Sequence, residues 1–392
     1  MSKPPPSITA VVSLFPAPSQ TFIQRKLLGL RDAGVPVAVA STTFGPGAAD
    51  LGFPMTSLMP WRAPRVALEP ASRAAWRATA TALWRQRRIG SDLRERVSLS
   101  PLLAVESDVV HFEFSGIAVS YLDVLPVLRE RSRLAVSCRG AAEQIEPLKD
   151  PSRADALAEV FSQVDLIHCV SDDMRRTVEQ LGAPPDRILV NRPAVPVTDF
   201  VPLRNRPAPG SGPLRLLSIG RLHWKKGFDD GIRAVADARA RGVDVEYRIA
   251  GEGPEREKLS FLIHELGLDG VVRLEGARTQ QQIRELLGAT DVLLLPSLSE
   301  GISNAVLEAM AAGLPVVVTD CGGMTEVVED GVDGLVVPVG DLGLLAEHLA
   351  ALAVDPELRA RLGAAAAAKA DEQLDLSHQV ARFVEAYRAL GA

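Results

Sequence analysis

Four short runs carry side chains able to do chemistry together. The first is Gly220-Arg221-Leu222-His223-Trp224-Lys225-Lys226-Gly227, directly after the apolar run Leu214 to Ile219. Arg221 offers a planar fork and Lys226 a point charge, a pair that suits a diphosphate. Each charge-assisted hydrogen bond is worth about 1.5–3 kcal/mol. The same residue types alone also describe a solvated basic turn. The second run is Glu300-Gly301-Ile302-Ser303-Asn304-Ala305-Val306-Leu307-Glu308-Ala309-Met310. A helix is expected to start near Ser303 or Asn304, where free backbone N–H groups form an anion site. Glu300 and Glu308 are not spaced as a glycosidase pair. Eight helical residues rise about 12 Å, whereas such pairs sit roughly 5–10 Å apart. They fit two parts of one elongated ligand, although Glu308 alone would read as a helix-face residue. Asp320 to Glu326, with Gly322 and Gly323, and Ala250 to Pro254, with Gly251 and Gly253, complete the set. The paired glycines Gly322 and Gly323 let backbone approach a ligand closely.

The elements that position these runs alternate throughout the chain, the signature of α/β architecture with parallel sheets. Strands are expected at Ile8 to Phe15, Val35 to Ala40, Val109 to Phe112, Leu134 to Ser137 and Leu166 to Val170, with a helix over Phe22 to Ala33. The segment Arg204 to Pro213 holds three prolines and two glycines and reads as a linker. Alternation then restarts. Strands are expected at Leu214 to Ile219, Val245 to Ala250, Val271 to Leu274, Val292 to Leu295 and Val316 to Thr319. Helices are expected at Asp229 to Arg241, Glu255 to Leu266, Thr279 to Leu287, Asn304 to Ala312 and Leu342 to Ala353. The reading is two Rossmann-like domains, 1–200 and 214–374, joined by 201–213 and facing each other across a ligand-binding cleft. A last helix, Ser377 to Leu390, presents Val380, Phe383, Val384 and Tyr387 on one face. It is expected to return to the first domain as a strap.

Composition bounds the function classes. The chain has 392 residues, 47% hydrophobic and 23% charged, with a formal charge of −6. These proportions exclude disorder and collagen. Residues 1–198 carry 23 basic and 20 acidic side chains, and the remainder 20 and 29. Neither half resembles a nucleic-acid binder. No transmembrane helix and no signal peptide are expected. Cys138, Cys169 and Cys321 fit a reducing, cytoplasmic setting. No Cys-x2-Cys or His-x3-His spacing supports zinc.

The four runs, in this order, resemble the donor half of family-4 retaining glycosyltransferases with the GT-B fold. The match covers about residues 214–387. It includes Gly-Arg-x5-Gly with its lysine, Glu-x7-Glu followed by Glu-Ala-Met-Ala-x-Gly-x-Pro-Val, and Gly-Gly-x2-Glu (Gly322, Gly323, Glu326). The resemblance implies that Arg221 and Lys226 hold the diphosphate of a nucleotide sugar and stabilise the leaving group. It implies that Glu300 contacts the sugar side and Glu308 the ribose hydroxyls. Backbone at Gly301, Ile302, Ser303 and Asn304 would cap the phosphates, and Gly220, Gly251 and Gly253 would line the donor site. The family uses no bound metal, and the chain has no Asp-x-Asp for the metal-dependent GT-A alternative. No cofactor is expected beyond the donor itself, UDP- or GDP-linked.

The first half resembles colanic-acid-type exopolysaccharide glycosyltransferases. Ser19-Gln20-Thr21-Phe22 is similar to their Ser-Glu-Thr-Phe opening. Asp108 to Phe114 is similar to their His-x-His-Phe strand end, with Glu113 in the second histidine's place. Ser137-Cys138-Arg139-Gly140 is similar to Thr-x-His-Gly near the transferred sugar, with Arg139 in the histidine's place. Asn191-Arg192-Pro193-Ala194 stands where Asn-Gly-Val-Asp is usual. Ser19, Thr21, His111, Glu113 and Arg139 are therefore the acceptor-side candidates. Arg139 cannot serve as a base at neutral pH. Among the histidines, His111 is expected at a strand end facing the cleft. His168 is expected in the core, His223 beside Arg221, and His264, His348 and His378 on the surface.

Residues 61–97 hold nine arginines against Glu69, Asp92 and Glu95, and include Trp61, Trp76 and Trp84. A basic helix with tryptophans suits an anionic membrane surface, although a domain helix with its tryptophans turned inward and its arginines solvated is the commoner origin of such a pattern. The function expected is transfer of a sugar to a glycan or lipid-linked acceptor in polysaccharide biosynthesis, without nucleic acid. The alternatives are a nucleotide-sugar epimerase, a phosphorylase, or a silent nucleotide-sugar-binding module.

Overall fold

The computed structural model describes residues 4–17, 20–58, 100–205 and 212–391. Ser19, residues 206–211 of the 201–213 linker and the basic segment 61–97 lie outside the described residues. The chain forms two compact units. One comprises residues 1–192 with 379–392, and the other residues 193–378.

The first unit is built on a seven-stranded parallel sheet in the order β3-β2-β1-β4-β5-β6-β7. Its strands are β1 (Ile8–Phe15), β2 (Val37–Phe44), β3 (Met55–Ser57), β4 (Val109–Phe112), β5 (Arg133–Cys138), β6 (Leu166–Cys169) and β7 (Ile188–Val190). The second unit has six parallel strands in the order β10-β9-β8-β11-β12-β13. These are β8 (Leu214–Ile219), β9 (Val245–Ala250), β10 (Val272–Gly276), β11 (Val292–Leu295), β12 (Val316–Thr319) and β13 (Leu335–Val337). Their near-continuous apolar sequences follow from burial on both faces. Leu216, Val292, Leu294 and Val317 enter one core with the helices Phe228–Ala240 and Leu342–Val354. Leu217, Leu293, Leu295, Val316 and Val318 enter another with the helix Asn304–Ala311. Each fully buried aliphatic side chain contributes about 1.5–3 kcal/mol.

Helix starts follow local chemistry. Thr279 accepts from Gln282 N while the Gln282 side chain accepts from Thr279 N, a reciprocal cap. Asp355 caps Leu358 N ahead of Pro356 at the first helical position. Three strands escaped the sequence pattern: Met55–Ser57, Ile188–Val190 and Leu335–Val337. Each has three residues and lies at a sheet edge, too short to show a period. β2 begins at Val37 and not Val35, and runs on to Phe44.

The linker expectation requires correction. Val195, Val197 and Phe200 are buried in the second unit's core. Arg204 makes a two-pronged ion pair with Asp371 at 2.8 and 2.9 Å, and its Nε donates to Ala311 O. The second unit therefore begins at Pro193. Within it, Val195 N donates to Leu374 O and Leu376 N to Val195 O, so residues 195 and 374–376 are paired. In the first unit, Asn191 Nδ2 donates to Gln379 O and Gln379 Nε2 to Arg192 O. The helix Leu376–Leu390 buries Val380, Phe383, Val384 and Tyr387, and from Gln379 onward it belongs to the first unit.

Candidate functional site

In the second unit the chain reverses its direction of strand addition at β8. β9 lies on one side of β8 and β11 on the other. Ligands of such sheets bind outside the carboxyl ends of the strands at that switch point. All four runs emerge there, from β8, β9, β11 and β12. Backbone hydrogen bonds join them. Leu222 N donates to Glu252 O at 2.9 Å, Leu298 N to Lys225 O at 2.7 Å, and Gly323 N to Gly301 O at 2.8 Å. Two glycines are required by this packing. A Cβ on Gly251, at φ +155°, would lie 1.8 Å from Gly220 O, and one on Gly322, at φ +56°, would lie 1.8 Å from Glu300 O.

The Lys226 ammonium is paired with a Glu300 carboxylate oxygen, which also accepts from Ser297 Oγ at 3.2 Å. Arg221 is exposed and makes no hydrogen bond or ion pair among the described residues. Helix Asn304–Ala311 starts after Ser303, and no side chain caps its first turn. Ile302, Ser303 and Glu308 are buried. The buried Oδ1 of Asn304 has no hydrogen-bond partner. One loop cluster thus combines a free guanidinium, an ammonium held by a carboxylate and an uncapped helix N-terminus. That arrangement can bind and stabilise an oxyanion such as a phosphate. His223 Nδ1 accepts from Lys225 N and caps the short turn at Trp224. Among the described residues, no group of three or more His, Cys, Asp and Glu could hold a metal ion.

In the first unit His111 lies near the end of β4, as expected, and both His111 and Glu113 are wholly buried. Glu113 sits between Lys26, which is paired to its Oε1, and Arg139, whose Nη2 lies 2.9 Å from Oε2. Burial opposes the Glu113 charge, but the two cations and their hydrogen bonds overcome it and hold the carboxyl below its ordinary range. Burial lowers Lys26 to about 8, with Glu113 opposing the fall. His111 belongs to a buried relay with His168, whose core position matches the sequence reading. Asn191 O can only accept, so His168 Nε2, 2.8 Å away, donates to it. His168 Nδ1 then accepts from Ser137 Oγ at 2.8 Å, and Ser137 Oγ accepts from His111 Nε2 at 2.8 Å. His111 Nδ1 accepts from Tyr387 Oη at 2.6 Å. Both imidazoles are neutral and fully satisfied in this arrangement. Burial lowers both histidines well below the ordinary value, and the Lys26 and Arg139 charges lower them further.

Thr21 is the first residue of helix Thr21–Asp32, after Gln20, which forms no side-chain cap. Lys26 was missed from sequence. Its signal was a lysine on the apolar face of Ile23, Leu27 and Leu30. His264 and His378 are exposed and His348 half-buried.

With this geometry in place, comparison with known proteins is informative. The family described as Glycosyl transferases group 1 matches residues 202–369. The putative colanic acid biosynthesis glycosyltransferase WcaL of Salmonella typhimurium is 34% identical over 62% of this chain and 60% of its own length. The amylovoran biosynthesis glycosyltransferase AmsK of Erwinia amylovora is 32% identical over 63% and 61%. The chain therefore spans about three-fifths of the length of these relatives. The structure of Anabaena Alr3699/HepE in complex with UDP superposes with a TM-score of 0.74 at 18% identity, covering 98% of this chain and all of that one. Sucrose-phosphate synthase from Thermosynechococcus elongatus gives 0.76 at 16% identity, covering 98% and 99%. At such identities the superpositions establish the fold alone. The two parallel α/β sheets thus share the fold of these solved structures, and residues 202–369 match the Glycosyl transferases group 1 family.

Proposed function

We propose that the chain is a retaining glycosyltransferase. It would move a sugar from a nucleoside-diphosphate donor to a hydroxyl of a glycan or lipid-linked acceptor in exopolysaccharide biosynthesis. The observation that carries this reading is the loop cluster at the β8–β11 switch point, with Arg221, Lys226 and the N-terminus of helix Asn304–Ala311 together. Arg221 and Lys226 hold the diphosphate, and the helix N-terminus adds N–H donors. Glu308 takes the ribose hydroxyls and Glu300 the sugar side, handing Lys226 to the phosphate as it does so. The relatives' names support polysaccharide assembly, and a structural neighbour was solved with UDP-glucose.

The mechanism is front-face transfer. The bond from the anomeric carbon to the diphosphate breaks while the acceptor hydroxyl attacks from the same face and passes its proton to the departing diphosphate oxygen. The protein contributes positioning and charge stabilisation of the leaving diphosphate. Arg221, Lys226 and the helix N-terminus do the electrostatic work that a metal does elsewhere. The basic, tryptophan-bearing segment 61–97 is assigned to contact with an anionic membrane surface that presents a lipid-linked acceptor. Among the described residues no helix is long and apolar enough to cross a membrane.

The test is thermal stabilisation of the purified chain by UDP, GDP, ADP and their sugars. A ligand at 100 times its dissociation constant should add about 2.7 kcal/mol. Stabilisation by one nucleoside diphosphate family is expected. Indifference to every one of them would overturn the reading.

A further inference from the structure

Arg139 is held in an unusual way. Its side chain is only 11% exposed. Nε donates to Glu113 O at 3.0 Å, and Nη2 to Glu113 Oε2 at 2.9 Å and Ser137 Oγ at 3.4 Å. The guanidinium carbon lies 4.8 Å from the centroid of the Phe22 ring and 5.9 Å from that of Phe114. One edge of the guanidinium is thus fixed, and its carbon stands over the Phe22 ring and, farther off, the Phe114 ring. A guanidinium has five N–H donors, two of them on Nη1, and among the described residues nothing accepts from Nη1. An arginine immobilised along that edge holds its charge and the Nη1 donors in a fixed direction, able to give a charge-assisted hydrogen bond to an oxyanion.

The surroundings favour an anion there. Lys26 already neutralises Glu113 from its other oxygen. Glu143, the other buried carboxylate nearby, is turned to backbone, accepting from Arg139 N and Gly140 N and from Ser115 Oγ. The remaining titratable neighbours, His111 and His168, are neutral in their relay. The ring that Arg139 covers, Phe22, lies in the first turn of helix Thr21–Asp32. That turn has no side-chain cap and no acidic residue, so its N–H groups and dipole also favour negative charge. A second clue points to a polyhydroxylated ligand. Gln144 Oε1 is buried without a partner, 3.9 Å from the point where a Gly140 Cβ would stand. It is an acceptor available to a sugar hydroxyl.

We propose that Arg139 is a specificity-determining residue that selects a carboxylate-bearing sugar, a uronate, through Nη1, which has no acceptor among the described residues, with Gln144 accepting from a hydroxyl of the same ring. The uronate belongs either to the donor or to the acceptor. The inference deepens the glycosyl-transfer reading and rests on it for its transfer arm.

The experiment uses the full chain and two readouts. In the first, glucuronate, galacturonate and glucose are titrated by calorimetry against wild type and Arg139→Gln. A uronate should bind at least tenfold more tightly than glucose, and Arg139→Gln should bring the two within about threefold, as loss of a charge-assisted hydrogen bond implies. In the second, kcat/KM is compared for uronate and neutral hexose, once as the nucleotide-linked donor and once as the acceptor terminus. A tenfold to hundredfold preference in one arm identifies the source, and it should collapse in Arg139→Gln. Arg139→Lys keeps the charge without the fixed, planar Nη1 donors and should lose most of the preference, which covers the case in which Arg139→Gln does not fold. Equal binding of uronate and glucose by wild type, or a preference that survives both variants, overturns the inference. Uronate binding without release of nucleoside diphosphate from any donor would leave it standing and sink the transferase reading instead.

Discussion

At the residue scale the donor cluster makes separable demands on its side chains. Arg221 is free for a ligand, whereas Lys226 is shared with Glu300. Arg221→Ala and Lys226→Ala are each expected to lower turnover roughly 10²–10³-fold, the usual cost of one electrostatic stabiliser. Steady-state kinetics on both variants check this, and near-wild-type turnover in both would remove their assignment. Glu308 and Glu300 should differ in kind. A ribose contact exists before and during the reaction, so Glu308→Ala should mainly raise KM for the donor. A group near the breaking bond acts in the transition state, so Glu300→Ala should mainly lower kcat. The reverse pattern would mean that the donor lies the other way round. These residues were legible in the sequence because their spacing relative to strand ends is local. Lys26 was less so. Its partner Glu113 is 87 residues away, and no local period links them.

At the element scale, the last helix is fastened to the first unit through Tyr387, His111, Ser137 and His168, across β4, β5 and β6. The helical spacing of Val380, Phe383, Val384 and Tyr387 announced a buried face. It could not announce that a histidine and not solvent would meet the tyrosine. Tyr387→Phe leaves His111 Nδ1 without its donor and should destabilise the first unit by about 1–3 kcal/mol. Urea unfolding followed by a first-unit probe measures this. An unchanged midpoint would show that the hydrogen bond contributes nothing net.

The same relay sets an acid limit. Both histidines are neutral in the fold with values well below 6.5, so below that pH the unfolded chain binds more protons than the folded one. The stability they contribute is therefore complete above about pH 6.5 and falls as pH drops below it. The urea midpoint should decline from pH 6.5 to 5, and His111→Gln should flatten that decline by about half. A midpoint independent of pH over this range would contradict the neutral relay. Edge strands of three residues escaped the sequence for a different reason, since a period of two cannot be recognised in three residues.

At the scale of the whole molecule, two α/β units were evident from the restart of alternation after residue 213. The true boundary, at 192/193, was hidden because Val195, Val197 and Phe200 are apolar anchors without periodicity that reach the second unit's core. A proline- and glycine-rich run marks where the chain is locally irregular, not where one core ends. The central claim of the proposed function is that a nucleoside-diphosphate sugar is bound and cleaved at the carboxyl end of β8. The most direct measurement is release of nucleoside diphosphate by the purified full chain from a panel of UDP-, GDP- and ADP-linked sugars, with Arg221→Ala run in parallel. Release from at least one donor, reduced by two orders of magnitude or more in the variant, is expected. Release at the same rate in both proteins, or from no donor at all, would contradict it.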